Sequence, residues 1–298
     1  LPLSSLFVRG KRFTRRKMKI TPDMESLIDL AIMEDYATGD ATTEALIPQE
    51  FEGRATIVSD EGGILAGIDI ALSVFQRMSP DLRTNPLVSD GSILKVATRI
   101  AEIAGPLRSI LTAERTALNF LRKLSGVATE TSKYVRAIEG TSAKIVDTRK
   151  TTPGFRSLQK YAVRMGGGFN HRQNLGDGIL IKDNHLRTLE HHGLNLSDVI
   201  KKAYENAPHT IKVEVEVENI SQVKEALDAG AEILLLDNMA PEKMAEAVDL
   251  CKGRALTEAS GGINLSSVRA AAESGVNLIS VGALTHSAPD LDLSLDIE

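Results

Sequence analysis

The stretch "IKVEVEVEN", residues 211–219, alternates valine with glutamate. Such alternation marks a β-strand. Successive side chains point to opposite faces, so Val213, Val215 and Val217 share one side and Glu214, Glu216 and Glu218 the other. The valine side reads as buried. Three carboxylates in a dry interior would carry a prohibitive desolvation cost. The glutamate face is therefore either solvated, as a solubility device on an exposed edge, or it meets cations.

The flanking sequence repeats the pattern. From residue 141 onward, short Val/Ile/Leu-rich runs alternate with segments of helical spacing. The runs are "AKIVD" (143–147), "GILIKDN" (178–184), the opening stretch, "EILLLDN" (232–238), "RALTEAS" (254–260) and "NLISVGA" (277–283). Between the later ones, "SQVKEALDAG", "PEKMAEAVDL" and "SSVRAAAESG" carry apolar residues at i, i+3 and i+4, with Pro241 at one start and Gly230 and Gly275 past two ends. Six βα units in series imply parallel strands with right-handed crossovers, hence an α/β barrel or an open wound sheet. Polar residues fall at the carboxyl end of each run: Asp147 with "TRK", Lys182 with "DN", Glu216 and Glu218, Asp237, Glu258 with Ser260, and Gly282. In a parallel barrel those ends converge on one face, where such folds place catalysis.

Charge divides across that face. Arg149, Lys150, Arg164, His171, Arg172 and Lys182 come from two consecutive units. Arg164, on an expected helix, reads as solvated, whereas Arg149, Lys150 and Lys182 sit at strand ends. Arginine presents paired donors to a carboxylate or phosphate and lysine a compact charge, so the expected ligand is polyanionic. His171 reads as donating a hydrogen bond to an acid; His185 has no assignable partner, and His191 and His192 read as solvated. On the acidic side, one of the alternating glutamates and Asp237 could lie side by side, where a divalent ion or ribose hydroxyls would satisfy them. The glycines of "RMGGGFNHR", "EASGGIN" and "SVGA" free backbone N–H groups for close approach to phosphate, and two of these runs follow adjacent late strands.

Residues 18–126 read as a separate α+β unit. "MESLIDLAIMEDY" is helical, "GRATIVSDEGGILAG" gives two strands around a Gly-Gly turn, and "TAERTALNFLRKLSG" is an amphipathic helix ending at Gly126. The barrel then spans 127–284, and the last residues, 285–298, return to the first unit. Residues 1–17, basic and free of acids, read as an extension ahead of Met18 in preference to a transit-type segment. A net charge of −5 argues against general nucleic-acid binding. The absence of any run near 20 apolar residues argues against a membrane protein. The lone Cys251 excludes an intrachain disulfide, fits a reducing compartment, and leads to a cytoplasmic expectation.

The blocks "ERTALNFLRKLSGVAT", "DTRKTTPGFRSLQKYAVRMGGGFNHR", "LIKDNH", "VEVEVEN", "LLLDN", "EASGGI" and "ISVGALTHS" together resemble the quinolinate phosphoribosyltransferases, a type II phosphoribosyltransferase family. The resemblance runs from Met18 nearly to the end of the chain. It implies an N-terminal α/β sandwich followed by an open α/β barrel of about six parallel strands. It also implies a homodimer in which each N-terminal domain closes the partner's barrel mouth. The implied reaction is Mg²⁺-dependent transfer from phosphoribosyl pyrophosphate to quinolinate with decarboxylation. By motif, Arg115 reaches the partner's site, and the quinolinate pocket holds Thr148, Arg149, Lys150, His171, Arg172 and Lys182. Glu216 and Asp237 match the phosphoribosyl pyrophosphate and metal side, and Ser260, Gly261, Gly262, Val281, Gly282 and Ala283 match the phosphate loops. Lys150, Lys182, Glu216 and Asp237 are the expected catalytic residues, with Glu214 and Glu218 in support of Glu216. Two other readings compete: a Schiff-base enzyme using Lys182, and a regulator that binds the sugar phosphate without turnover.

Overall fold

A computed structural model describes residues 18–298, so the basic stretch 1–17 lies outside the described residues. The chain opens with α1 (Pro22–Tyr36), which has proline at its first position, and α2 (Ala41–Leu46), whose Asp40 cap accepts from the Thr43 N–H at 2.9 Å. Next come β1 (Glu52–Ser59), β2 (Gly63–Ile64), α3 (Ile68–Met78), β3 (Arg83–Pro86), β4 (Ile93–Leu94), β5 (Thr98–Pro106) and α4 (Leu107–Ala137). The strands flanking the Gly-Gly turn form as expected but do not pair with each other. β2 pairs with β4, while β1 is drawn into a four-stranded antiparallel sheet.

The second half supplies the barrel units. These are β6 (Lys144–Val146), α5 (Arg156–Met165), β7 (Ile179–Ile181), α6 (Asp183–Glu190), α7 (Leu196–Asn206), β8 (Val213–Val217), α8 (Ile220–Asp228), β9 (Ile233–Asp237), α9 (Pro241–Cys251), β10 (Leu256–Ser260), α10 (Val268–Glu273), β11 (Leu278–Ser280) and α11 (Ala283–His286). The strands form one parallel sheet in the order β6-β11-β10-β9-β8-β7. All six runs read from the sequence are strands of this sheet. Its edges, β6 and β7, do not pair, and the opening between them is partly filled by the segment around Phe169, which bridges Val146. The last strand, β12 (Leu293–Ile297), returns to pair with β1, giving the first sheet the order β12-β1-β5-β3.

Gly126 does not end a helix. α4 runs 31 residues, roughly 46 Å at 1.5 Å per residue, and packs against α3 in the first half and α5 in the second. Glycine is required at 126 because the returning chain crosses the helix there. A Cβ would meet the Pro289 carbonyl oxygen at 2.0 Å and the Asp290 Cα at 3.0 Å. The crossing is pinned by the Leu291 N–H donating to the Arg122 carbonyl at 3.1 Å, and by ion pairs from Arg122 to Asp292 at 2.9 Å and from Lys123 to Asp290 at 3.3 Å.

In β8 the valines are fully buried and the glutamates face the barrel interior. Fully burying each valine is worth about 1.5–3 kcal/mol, which fixes the register and commits the glutamates to the inside. Their three environments differ. Glu218 lies past the strand end and is exposed, Glu216 is half-buried, and Glu214 is 6% exposed.

Candidate active site

The carboxyl ends of the barrel strands surround a cavity of about 790 Å³. Thr148, Arg149 and Lys150 enter it after β6, His171 and Arg172 from the loop after α5, and Lys182 at the end of β7. Glu216 and Asp237 come from β8 and β9. Ser260, Gly261 and Gly262 close β10, and Gly282 and Ala283 follow β11.

The cations line one side. The Arg149 Nε is buried with no hydrogen-bond partner, a donor waiting for an acceptor. Arg172 Nη1 donates to the Gly178 carbonyl at 3.0 Å, which aims its guanidinium. Lys182 Nζ stands 3.9 Å from Glu216 Oε2 with its side chain half-exposed. On the acidic side, Glu216 is paired in register with Leu235, so Asp237, two residues further along β9, lies on the same face one step toward the mouth. Burial raises the Glu216 pKa above the usual carboxylate range; Lys182 opposes the shift, and Asp237 adds to it. Two such carboxylates on neighbouring strands fit Mg²⁺, which takes hard oxygen ligands and is commonly held by one or two carboxylates plus substrate phosphates.

The loop after β10, Ser260 to Gly262, lines the cavity. Gly261 has φ +90°, and a Cβ there would strike Asn238 Oδ1 at 2.3 Å and its backbone N at 2.7 Å, so only glycine lets the β9 and β10 ends approach this closely. The "GGG" run has a different role. Cβ atoms at Gly166 and Gly168 would collide with Ala128 O at 2.3 Å and with Thr131 Cγ2 and Val163 Cγ1 at 2.8 Å, so this run lets α5 and its exit loop pack on α4 and stays out of the cavity.

Beneath the cations, a fully buried ion pair between Lys160 and Asp147 grips the loop that carries His171. Asp147 Oδ1 accepts the His171 N–H at 2.8 Å, its Oδ2 accepts Asn170 Nδ2 at 2.6 Å, and Lys160 Nζ donates to the His171 carbonyl at 3.0 Å. Both backbone groups of His171 are thereby fixed. Its Nδ1 accepts the Arg172 N–H at 2.8 Å, and its Nε2 faces Glu214 Oε2 at 3.2 Å and Glu258 Oε1 at 3.5 Å. Burial disfavours a charged imidazole, but the two carboxylates outweigh it and raise its pKa. Full protonation would sacrifice the Nδ1 acceptor. Glu258 also tends to hold a proton: burial and then Glu214 push its pKa up to about 7, against the opposing pull of His171 and Ser280.

Val281 lies outside the cavity, as does Arg115, which was expected to act in a partner's site and not in this chain's own. Val281 is 1% exposed, its N–H bonded to the Val146 carbonyl at 3.0 Å, and it packs in the core while its neighbours Ser280 and Gly282 line the cavity. Arg115, on α4, lines a separate cleft of about 460 Å³ with Leu27, Leu30 and Phe155. Reading by residue type gave no site role to the polar lining residues Asn238, Glu258, Ser280 and His286. The Asp-Asn pair after "LLL" was a signal for Asn238. Glu258 was placed at a strand end but given no role, and nothing local marked His286. His185 has a structural partner, accepting the Lys182 N–H at 3.0 Å and fixing the start of α6. His191 and His192 are exposed, as expected.

Comparison with known proteins covers both halves of the chain. Residues 40–125 match the family model of the quinolinate phosphoribosyl transferase N-terminal domain, and residues 127–296 match that of its C-terminal domain. A probable nicotinate-nucleotide pyrophosphorylase (carboxylating) of Bacillus subtilis is 41% identical over 274 residues, 92% of this chain and 93% of that protein. A mitochondrial quinolinate phosphoribosyltransferase (decarboxylating) of Nicotiana tabacum is 38% identical over 294 residues, 93% of this chain and 83% of that protein. The solved structure of the nicotinate-nucleotide pyrophosphorylase from Francisella tularensis superposes with a TM-score of 0.88 at 40% identity, covering 95% of this chain and all of that one. With both halves matched in order around a cavity that joins a cationic wall to a carboxylate pair, the chain belongs to the quinolinate phosphoribosyltransferase family.

Proposed function

We propose that this enzyme transfers the phosphoribosyl group of phosphoribosyl pyrophosphate to the nitrogen of quinolinate with loss of CO₂, giving nicotinate mononucleotide and pyrophosphate. One observation carries the reading: Arg149, whose Nε has no partner, Arg172 and the half-exposed Lys182 share a single cavity with Glu216 and Asp237. Quinolinate brings two carboxylates and the donor brings phosphates, so the cationic wall supplies the paired donors they need. Lys150 stands beside Arg149 on that wall, and Thr148 Oγ1 shapes the turn by accepting the Lys150 N–H at 3.0 Å. Glu216 and Asp237 orient the ribose as its C1 gains positive character and the pyridine nitrogen closes on it, and Ser260, Gly261, Gly262, Gly282 and Ala283 cradle the phosphates. Most of the acceleration comes from positioning and fixed charge, with no covalent enzyme intermediate. The same two carboxylates, Glu216 and Asp237, would hold Mg²⁺, which would supply positive charge against the leaving pyrophosphate.

The site is shared in a homodimer. Arg115 is 56% exposed, paired only loosely with Glu114 at 3.5 Å, and its cleft is lined by Leu30, itself 61% exposed. Those features suit a helix face that packs on a second copy and extends an arginine into it. The single, buried Cys251 fits a reducing compartment such as the cytoplasm.

The deciding experiment incubates the purified chain with phosphoribosyl pyrophosphate and either quinolinate, nicotinate or nicotinamide, with Mg²⁺ or with EDTA. Nucleotide and pyrophosphate should form with quinolinate and Mg²⁺ alone. Binding without turnover would instead favour the regulator, and turnover in EDTA would remove the metal from the scheme. For a Schiff-base role, Lys182 stands badly: it lies near a carboxylate and open to solvent, whereas an amine nucleophile needs a dry apolar pocket or a second cation beside it.

A further inference from the structure

Loss of CO₂ leaves an electron pair on ring carbon 2, and the product needs a proton there. On the reading above, the acid that supplies it should touch the cavity beside the carboxylate-holding wall, hold a proton up into the neutral range, and have a path to water for reloading. Glu216 and Asp237 serve the sugar side. His171 has both ring nitrogens engaged, Nδ1 by the Arg172 N–H and Nε2 by carboxylates.

Glu258 meets all three conditions. It projects from β10 into the cavity floor next to His171 and Arg172. Its side chain is 1% exposed, and its Oε1 has no hydrogen-bond partner. Isolated burial and the neighbouring Glu214 carboxylate both favour the protonated form. Glu258 also lines a second cavity, of about 490 Å³, which includes Val146 and Phe169 at the β6 edge and Ile179 of β7 and so lies at the opening of the barrel. One carboxyl group therefore lines both the active-site cavity and a second opening.

The charged groups around it are Glu214 on β8, His171 and Arg172 on the loop after α5, and, more remotely, Asp147 after β6. His171, Glu214 and Glu258 lie close enough to one another to suggest a cation site. The tautomer argues against that: a metal-bound imidazole donates its other N–H, whereas Nδ1 here accepts one, which leaves the proton on Nε2.

We propose that Glu258 is the general acid of the decarboxylation half-reaction. The bond from carbon 2 to its carboxylate breaks and CO₂ departs, leaving the electron pair on carbon 2. The Glu258 O–H breaks as the new C–H bond forms, which traps the electron pair and makes an otherwise reversible loss of CO₂ complete. The resulting Glu258 carboxylate regains a proton from water in the second cavity.

The test follows pyrophosphate and nicotinate mononucleotide separately in a single turnover of Glu258→Gln, which keeps shape and removes the acid. Pyrophosphate release and the quinolinate KM should stay near parental values, while product formation slows by about 10²-fold or more, the usual weight of a general acid. Mass spectrometry should then find the undecarboxylated quinolinate nucleotide. Glu258→Asp, still an acid but one methylene shorter, should fall between the two. Product formed by Glu258→Gln at the parental rate and with the parental pH profile would overturn the assignment, as would a joint loss of pyrophosphate release and quinolinate binding, which marks a structural role. A parental chain that releases no pyrophosphate from quinolinate would overturn the underlying reading and the proposal with it.

Discussion

Replacing Lys160 by methionine isolates the ion pair beneath the site. Lys160 and Asp147 are 2% and 0% exposed, and methionine preserves most of the lysine volume. Removing one partner of a buried pair typically costs about 3–5 kcal/mol, because the other charge is stranded. Here the lower end applies. Asp147 keeps its bonds from the His171 N–H and from Asn170, and burial already pushes its pKa upward, so it can take a proton. We expect a loss of about 3 kcal/mol in urea unfolding at pH 7 and fixed protein concentration. Adding Asp147→Asn removes the stranded charge and should return about 1–2 kcal/mol, a coupling that a double-mutant cycle resolves. Stability of Lys160→Met within about 1 kcal/mol of the parent, or no recovery in the double variant, would refute the view that this pair is held by mutual compensation.

Four further outcomes are expected. Arg149→Ala should abolish quinolinate turnover, measured as nucleotide formation; near-parental activity would mean the pocket is misplaced. Mixing inactive Arg115→Ala and Lys182→Ala chains should restore part of the activity through hybrid sites, and no recovery despite demonstrated subunit exchange would reject the shared site. Gly126→Ala should destabilise by about 1–3 kcal/mol or more, since backbone on the crossing strand has to move, and an unchanged urea midpoint would contradict the 2.0 Å approach. Because Glu258 holds its proton to higher pH when folded than when unfolded, its contribution to stability is present below the ordinary glutamate range and is lost as pH rises toward about 7. Glu258→Gln should flatten that decline by at most about 1.4 kcal/mol per pH unit, and parallel pH–stability curves for parent and variant would count against the assignment.

What the sequence discloses follows from the range of the forces involved. Period-two alternation in 213–217 and the polar residues closing each apolar run are local, and they located the barrel and most of its rim before any contact was known. Gly126 shows the opposite case. Read locally it is a helix stop, yet its reason is Pro289, which only the folded chain brings near. The glycines at 166 and 168 misled in the same way, because close helix packing and phosphate cradling select the same residue. Val281 was drawn into the site by its motif neighbours, but strand parity turns it toward the core. Glu214 looked too costly to bury because its compensation, His171, arrives from a loop more than one unit upstream, and a pattern read along one strand contains no term for it.

The path of β12 affects how this chain is made. β12, synthesised after the barrel, completes the sheet of the first half, pairing along β1 from Ala55 to Ser59. During translation the N-terminal lobe must therefore wait with an open hydrogen-bonding edge while the whole barrel emerges, and an open edge invites pairing with other nascent chains. β12, remote from the chemistry, thus governs whether the first half is protected from aggregation, and removing it should lower the yield of soluble protein.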